Sequence, residues 1–249
     1  MTPHLARIVR HPIKSAGFEE LGAVALAPGA AMPWDRHWAV AHAAARFGAA
    51  PDGWASKMNF LRGWAEPRLM AISAVLAPEA RRLTLTHPDV GSITLWPDDE
   101  PDRLIAWLCP LWPDTRPAAA GIVHVPGQAM SDVPDPYLAI LGLASNRALG
   151  QRLGMDLSIH RWRGNLWLDG LAPWEEFDLV GREISIGAVR LRVEERITRC
   201  RATGANPETG RLDADTLGAL EAGYGHQDFG VYARVLTPGT LRIGDAVVL

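Results

Sequence analysis

Cysteine is nearly absent from this chain. Of 249 residues only Cys109 and Cys200 carry a thiol, and they stand far apart. They form no Cys-x-x-Cys pair and no zinc-type spacing, so neither a structural zinc site nor a bound iron–sulfur cluster is expected. An excess of one charge sign is lacking too. Twenty-five Lys and Arg against 28 Asp and Glu leave a net charge of -3, with the signs mixed along the chain. That balance argues against a nucleic-acid partner gripped by neutralising its phosphates. No apolar run approaches the roughly 18–20 residues that cross a bilayer, so no membrane contact is expected. The start, "MTPHLARIVRHPIKS", has no apolar core before its first charges, which makes a signal peptide unexpected and a reducing cytoplasm the expected compartment. Also missing are a GxGxxG, a P-loop, a βαβ rhythm and internal repeats, which excludes a Rossmann-type nucleotide site.

What is present is short-range alternation. Period-two apolar patterning predicts strands at 5–9, 23–26, 38–41, 69–75 and 83–86, with a hairpin across "LTLTHPDVGSITLWP". From Asp102, Leu104, Ile105, Leu108 and Leu111 fall near helical spacing and place Cys109 on a helix as a small buried residue. Residues 113–134, rich in Pro, Ala and Gly, predict a surface connection with one strand at 122–125. Leu138, Leu141, Leu149 and Leu153 predict a helix in the latter half of 135–155 with Ser145 as its candidate N-cap, a position whose hydroxyl and free N–H groups suit an anion. The last third returns to strands at 165–168, 183–186, 189–195, 231–236, 240–243 and 246–249. It carries hairpins in "EISIGAVRLRVEE" and "TPGTLRIGDAVVL" and a helix capped at Asp213 or Asp215 and stopped by Gly223. Many short strands with few helices predict a mainly β (α+β) fold, a barrel or sandwich with a few short helices.

Several polar residues are out of place in a plain barrel. "HPIKS" puts Lys14 and Ser15 where the first strand runs out, "WDRHW" puts Asp35 and Arg36 at a strand start, and "HRWRGN" alternates Arg161 and Arg163 against Trp162. Singly, each reads as a solvated surface charge. Gathered by the fold, Lys14, Arg36, Arg163 and Ser145 would form a phosphate-binding set through charge-assisted hydrogen bonds. Cys200, in "EERITRCRATGANPETG", has three readings: a small core residue at a strand end, an activated thiolate, or a metal ligand.

The ordered set "HPIKS", "WDRHW", "LASNRALGQRLG", "RWRGN", "ERITRC", "NPETG" and "GTLRIGD" resembles the MOSC family, named for the C-terminal domain of molybdenum cofactor sulfurase. The early segments resemble the MOSC N-terminal β-barrel domain. The resemblance is nearest to the branch that includes the amidoxime-reducing component and its bacterial relatives. It implies a MOSC β-barrel over 113–249 packed against a smaller β-rich domain over 1–112, and a molybdenum–pterin cofactor without pyridoxal phosphate. It further implies reduction of N-hydroxylated substrates with electrons from separate electron-transfer proteins. By position, Cys200 matches the family's molybdenum ligand and Lys14, Ser15 and Arg36 match its phosphate-binding residues. Ser145, Arg163 and Asn165 match residues that contact the pterin. Gly164 stands where the family has proline, and predicts a looser backbone there. The alternative is a non-redox carrier of the cofactor or of sulfur, with Cys200 as a persulfide.

Overall fold

A computed structural model describes residues 2–47 and 51–249. The first part contributes β1 (His4–Arg10), β2 (Glu19–Leu21), β3 (Ala23–Leu26), β4 (Ala39–His42), β5 (Ser73–Ala77), β6 (Arg82–His87) and β7 (Gly91–Leu95). There follow the helix α1 (Pro101–Leu108) and the strand β8 (Ala119–Val123). The remainder adds β9 (Leu138–Gly142), α2 (Leu143–Leu153), β10 (Leu166–Asp169), β11 (Glu183–Ile186), β12 (Val189–Thr198), α3 (Thr216–Tyr224), β13 (Asp228–Val235), β14 (Gly239–Arg242) and β15 (Val247–Val248). The protein is mainly β, as the alternation predicts. Side chains on a pleated strand face opposite ways in turn, so β6 and β11 bury every second residue.

Eight strands form one sheet in the order β15-β11-β12-β13-β9-β10-β1-β2. Only β9 and β10 in it run parallel. β1 pairs with β10, some 160 residues away in sequence, with His4 opposite Asp169 and Ile8 opposite Leu166. The earliest strand is therefore woven into the sheet built by the latest ones. Register breaks in β1 and two in β12 curl the sheet, because each extra residue bends its strand and raises the local twist. Leu5, Ile8, Ile140, Leu166, Leu191 and Val231, all fully buried, fill its concave side. Around Trp38, Trp96 and Leu104 a second core joins the β5–β6–β7 sheet, the β4–β8 pair and α1.

Several local expectations change. Pro67–Ala71 is a 3₁₀ turn, so the strand predicted at 69–75 starts only at Ser73. Pro67 opens the turn, and the Glu66 carboxylate accepts the Arg68 N–H. The segment 138–142, which precedes the predicted helix, is strand. All five of its residues are buried, and a continuous apolar run of that length fits an interior strand as well as a helix. α2 follows with Gly142 at its cap, which makes Ser145 its third residue and not its N-cap. "TPGTLRIGDAVVL" is not a hairpin either, since β14 pairs with β3 and β15 with β11. Finally, Cys109 is exposed at the end of α1, not buried. α3 is capped by Asp215 and ends at Gly225, in the left-handed region, two residues beyond Gly223.

Candidate functional site

Where β1 runs out, its turn faces the end of β12 across a cleft of about 570 Å³. The cleft brings together Lys14, Ser15, Arg36, Arg163, Asn165 and Cys200. Ser145 is not part of it. That side chain is fully buried elsewhere, donating to Glu176 Oε2 at 2.7 Å and accepting the Trp174 N–H at 2.8 Å.

The inner wall is interlocked. Ser15, Arg36 and Arg163 all have left-handed backbones, with φ of 64°, 50° and 50°, a conformation that costs a residue with a side chain about 1–2 kcal/mol. What holds them is a ring of hydrogen bonds. Arg163 donates to the carbonyls of Ile13 (3.0 Å), Gly17 (3.3 Å) and Ala16 (3.4 Å), clamping the turn that carries Lys14 and Ser15. Arg36 donates to the Arg163 carbonyl at 2.6 Å and pairs with the Asp35 carboxylate. Asp35 in turn accepts the His11 N–H at 2.8 Å. Lys14, 4% exposed, donates through Nζ to the Met130 carbonyl at 2.9 Å and to Asp132 at 2.6 Å. The Asn165 amide accepts from Ala139 N and donates to the Val9 carbonyl, so its part is to brace β1 against β9 beneath the cleft.

Charge is concentrated here. Eight Lys and Arg line the cleft against three Asp and Glu, a net of +5 inside a chain of net -3. Burial, with Arg36 adding to it, pushes Arg163 down to about 9. Burial likewise pushes Arg199 down to about 10. Lys14 is also lowered, by burial first, although Asp132 opposes the shift. Burial works to raise Asp132, but Lys14 and Lys57 bring it to about 2. Cations lowered together want an anion among them. Arg161 adds a direct sign: it is 2% exposed and paired with Asp213 at 2.7 Å, yet its Nε has no protein partner.

Cys200 follows the second register break of β12, in extended backbone, and its free thiol is exposed to the cleft. The buried-core reading of Cys200 is thereby set aside. Its neighbours part ways. Arg199 turns inward, donating to Phe229 O at 2.7 Å and Trp162 O at 2.8 Å. Arg201 turns outward, 5.1 Å above the Trp64 ring. Sequence reading missed Lys57, Arg62, Arg199 and Asp132 as cleft residues. Arg199 was legible only as a neighbour of Cys200, and the others lie in irregular segments without periodicity. Arg161 and Arg163 do share the cleft, but from a 3₁₀ turn, Ile159–Trp162, and not from a strand. Gly164 is tight, not loose. A Cβ there would lie 2.1 Å from Leu141 Cδ1, so any larger residue would have to displace the Leu141 side chain of β9.

Residues 131–248 match the MOSC domain, and residues 2–104 match the MOSC N-terminal β-barrel domain. The chain belongs to the MOSC family. It is 33% identical over 133 residues to mitochondrial amidoxime-reducing component 1 of Mus musculus, a match covering 49% of this chain and 38% of that protein. Over 106 residues it is 31% identical to molybdenum cofactor sulfurase of Drosophila grimshawi, covering 42% of this chain and 14% of that one. This MOSC protein thus spans well under half of the curated relatives it matches. Among solved structures it is similar to the YuaD protein from Bacillus subtilis, at 12% identity and a TM-score of 0.47, covering 99% of this chain and 94% of that one. Among the described residues no helix is long and apolar enough to cross a membrane.

A molybdenum–pterin cofactor fits the donors present. An anionic end suits the cationic inner wall and the partnerless Arg161 Nε, and a metal suits the cleft's one thiol, Cys200. A single protein thiolate is too few ligands for a bare ion, so a metal held there would have to arrive chelated.

Proposed function

We propose that this MOSC protein binds a molybdenum–pterin cofactor in the cleft and reduces N-hydroxylated compounds such as amidoximes and hydroxylamines. Separate electron-transfer proteins bring the electrons. The observation that carries the reading is one cleft with a cationic inner wall and a lone exposed thiol at its rim. When bound, the cofactor supplies a metal able to exchange two electrons with the substrate.

The chain's own residues do the rest. Lys14, Ser15 and Arg36 hold the phosphate, for which forked and charge-assisted donors are suited. Arg163 keeps that cradle in shape through the 13–17 turn, and Asn165 supports it from below. Cys200 would bind the metal as a thiolate, because coordination to a metal deprotonates a thiol outright. It does not attack the substrate. Residues 1–112 and 113–249, taken as two domains, both contribute to this cleft.

The test is reductive turnover. Protein purified from a cofactor-producing host should convert an amidoxime to the amidine with a chemical reductant, and Cys200→Ala should not. Wild-type protein that holds molybdenum but turns over neither an amidoxime nor a hydroxylamine refutes the enzyme.

A second reading is a sulfur or cofactor carrier, favoured by the exposure of Cys200. Mass spectrometry separates the two, since a carrier shows a labile sulfur adduct on Cys200 and no turnover.

A further inference from the structure

Outside the cleft, among the described residues, one group of side chains has the composition of a metal site. His37, Asp98 and His124 each present a ligand atom, all within 4.8 Å of one another. The fold converges them from three segments. Ala39 of β4 pairs with Val123 of β8, so His37, two residues before Ala39, and His124, just after Val123, emerge at the same end of the pair. Their rings lie 3.8 Å apart between centroids. Asp98 comes from the turn after β7, and its Oδ1 accepts the Trp38 indole N–H at 3.0 Å.

One separation suits a shared ion better than a plain hydrogen bond. His124 Nδ1 and Asp98 Oδ1 are 3.4 Å apart, beyond the usual 2.7–3.2 Å of an N–H to oxygen bond. Two ligands bound about 2.0–2.1 Å from a tetrahedral zinc ion would be separated by roughly 3.3–3.4 Å. The Trp38 donor has the outer-layer role that orients ligating carboxylates in metalloproteins. Trp34 and Trp38 pack on His37 at 4.4 and 4.5 Å and restrict its ring. None of the three ligands lines the cationic cleft.

We propose that His37, Asp98 and His124 bind one divalent transition-metal ion of the zinc class, with water completing its coordination. Two imidazoles and a carboxylate form a nitrogen–oxygen set suited to zinc, cobalt or nickel and poorly suited to calcium. The ion ties the β4–β8 pair to the 96–100 turn. Because His37 directly follows Arg36, it also anchors the inner wall of the cleft from behind.

Cobalt(II) titration of untagged, chelator-treated full-length protein tests this. The background is Cys109→Ser/Cys200→Ala, so that no thiol contributes. One equivalent of cobalt should give visible absorption bands of a four- or five-coordinate site, and zinc should displace them. His124→Ala should weaken binding at least about 100-fold and Asp98→Asn at least about tenfold, a ligand counting for no less than an outer-layer partner. His124→Gln serves if the alanine variant loses its circular dichroism. Absence of bands in the thiol-free protein overturns the site, as does undiminished cobalt affinity in a folded His124 variant. Neither result bears on molybdenum in the cleft.

Discussion

The two ends of the cleft follow opposite rules. At the inner end Lys14, Arg36 and Arg163 are committed to partners, three residues hold left-handed backbone, and the donors interlock across segments more than a hundred residues apart. At the outer end Cys200 is exposed and free. There three guanidiniums, of Arg62, Arg116 and Arg201, gather on the half-exposed ring of Trp64 without a hydrogen-bonded frame. The difference teaches that the two tasks need different constructions. Holding an anion rewards donors fixed before it arrives, whereas a reactive thiolate needs access and adjustable surroundings.

Removing the thiol should break the comparison most sharply. Cys200→Ala is expected to lower amidoxime turnover at least about a hundredfold, more than an outer-layer substitution does at a metal site. It should change unfolding free energy by less than about 0.5 kcal/mol, as an exposed position does. Activity assay and urea unfolding on the same samples read both. Arg163→Met should do the reverse. It deprives the 13–17 carbonyls of a charged donor and is expected to destabilise by about 1.5–3 kcal/mol, with cofactor content falling as a consequence.

Acid should loosen the inner end first. His11 is fully buried under the cradle, and burial, with Arg36 and Arg163, holds its pKa well below 6.5. Folded His11 thus stays neutral where the unfolded chain takes up a proton. Stability is complete above about pH 6.5 and falls below it by up to about 1.4 kcal/mol per pH unit. Urea unfolding from pH 7.5 to 5 should show at least that slope, and His11→Asn should reduce it by the share of His11. The smallest expected effect is at Ser15. Glycine adopts its φ of 64° freely, so Ser15→Gly should leave thermal stability equal or raise it by about 1 kcal/mol or less. Cofactor retention should nonetheless fall through loss of the hydroxyl.

Most of the β architecture was legible because alternation is a local property. β6, β11 and β12 could be read from their burial pattern alone. β9 was not, because a strand buried on both faces shows no alternation. The pairings of β14 and β15 were also hidden, since nearness in sequence suggested a hairpin where long-range partners win. At the site, Lys14, Ser15, Arg36, Arg163, Asn165 and Cys200 could be chosen from ordered motifs, and the fold puts them around one cleft. Ser145 could not be judged, because its position in α2 and its bond to buried Glu176 are tertiary facts. Asp132 and Lys57 carried no pattern at all. The tightness of Gly164 depends wholly on Leu141 of another strand.

The central claim is that the cationic cleft and the Cys200 thiol belong to one chelated-metal site. Molybdenum analysis of the untagged protein, purified from a host that makes the pterin cofactor, tests it most directly. The account predicts about one molybdenum per chain, with release in Cys200→Ala and weakened retention in Lys14→Ala and Arg36→Ala. Wild-type protein from that host without molybdenum, or with molybdenum held equally well by all three variants, would contradict it.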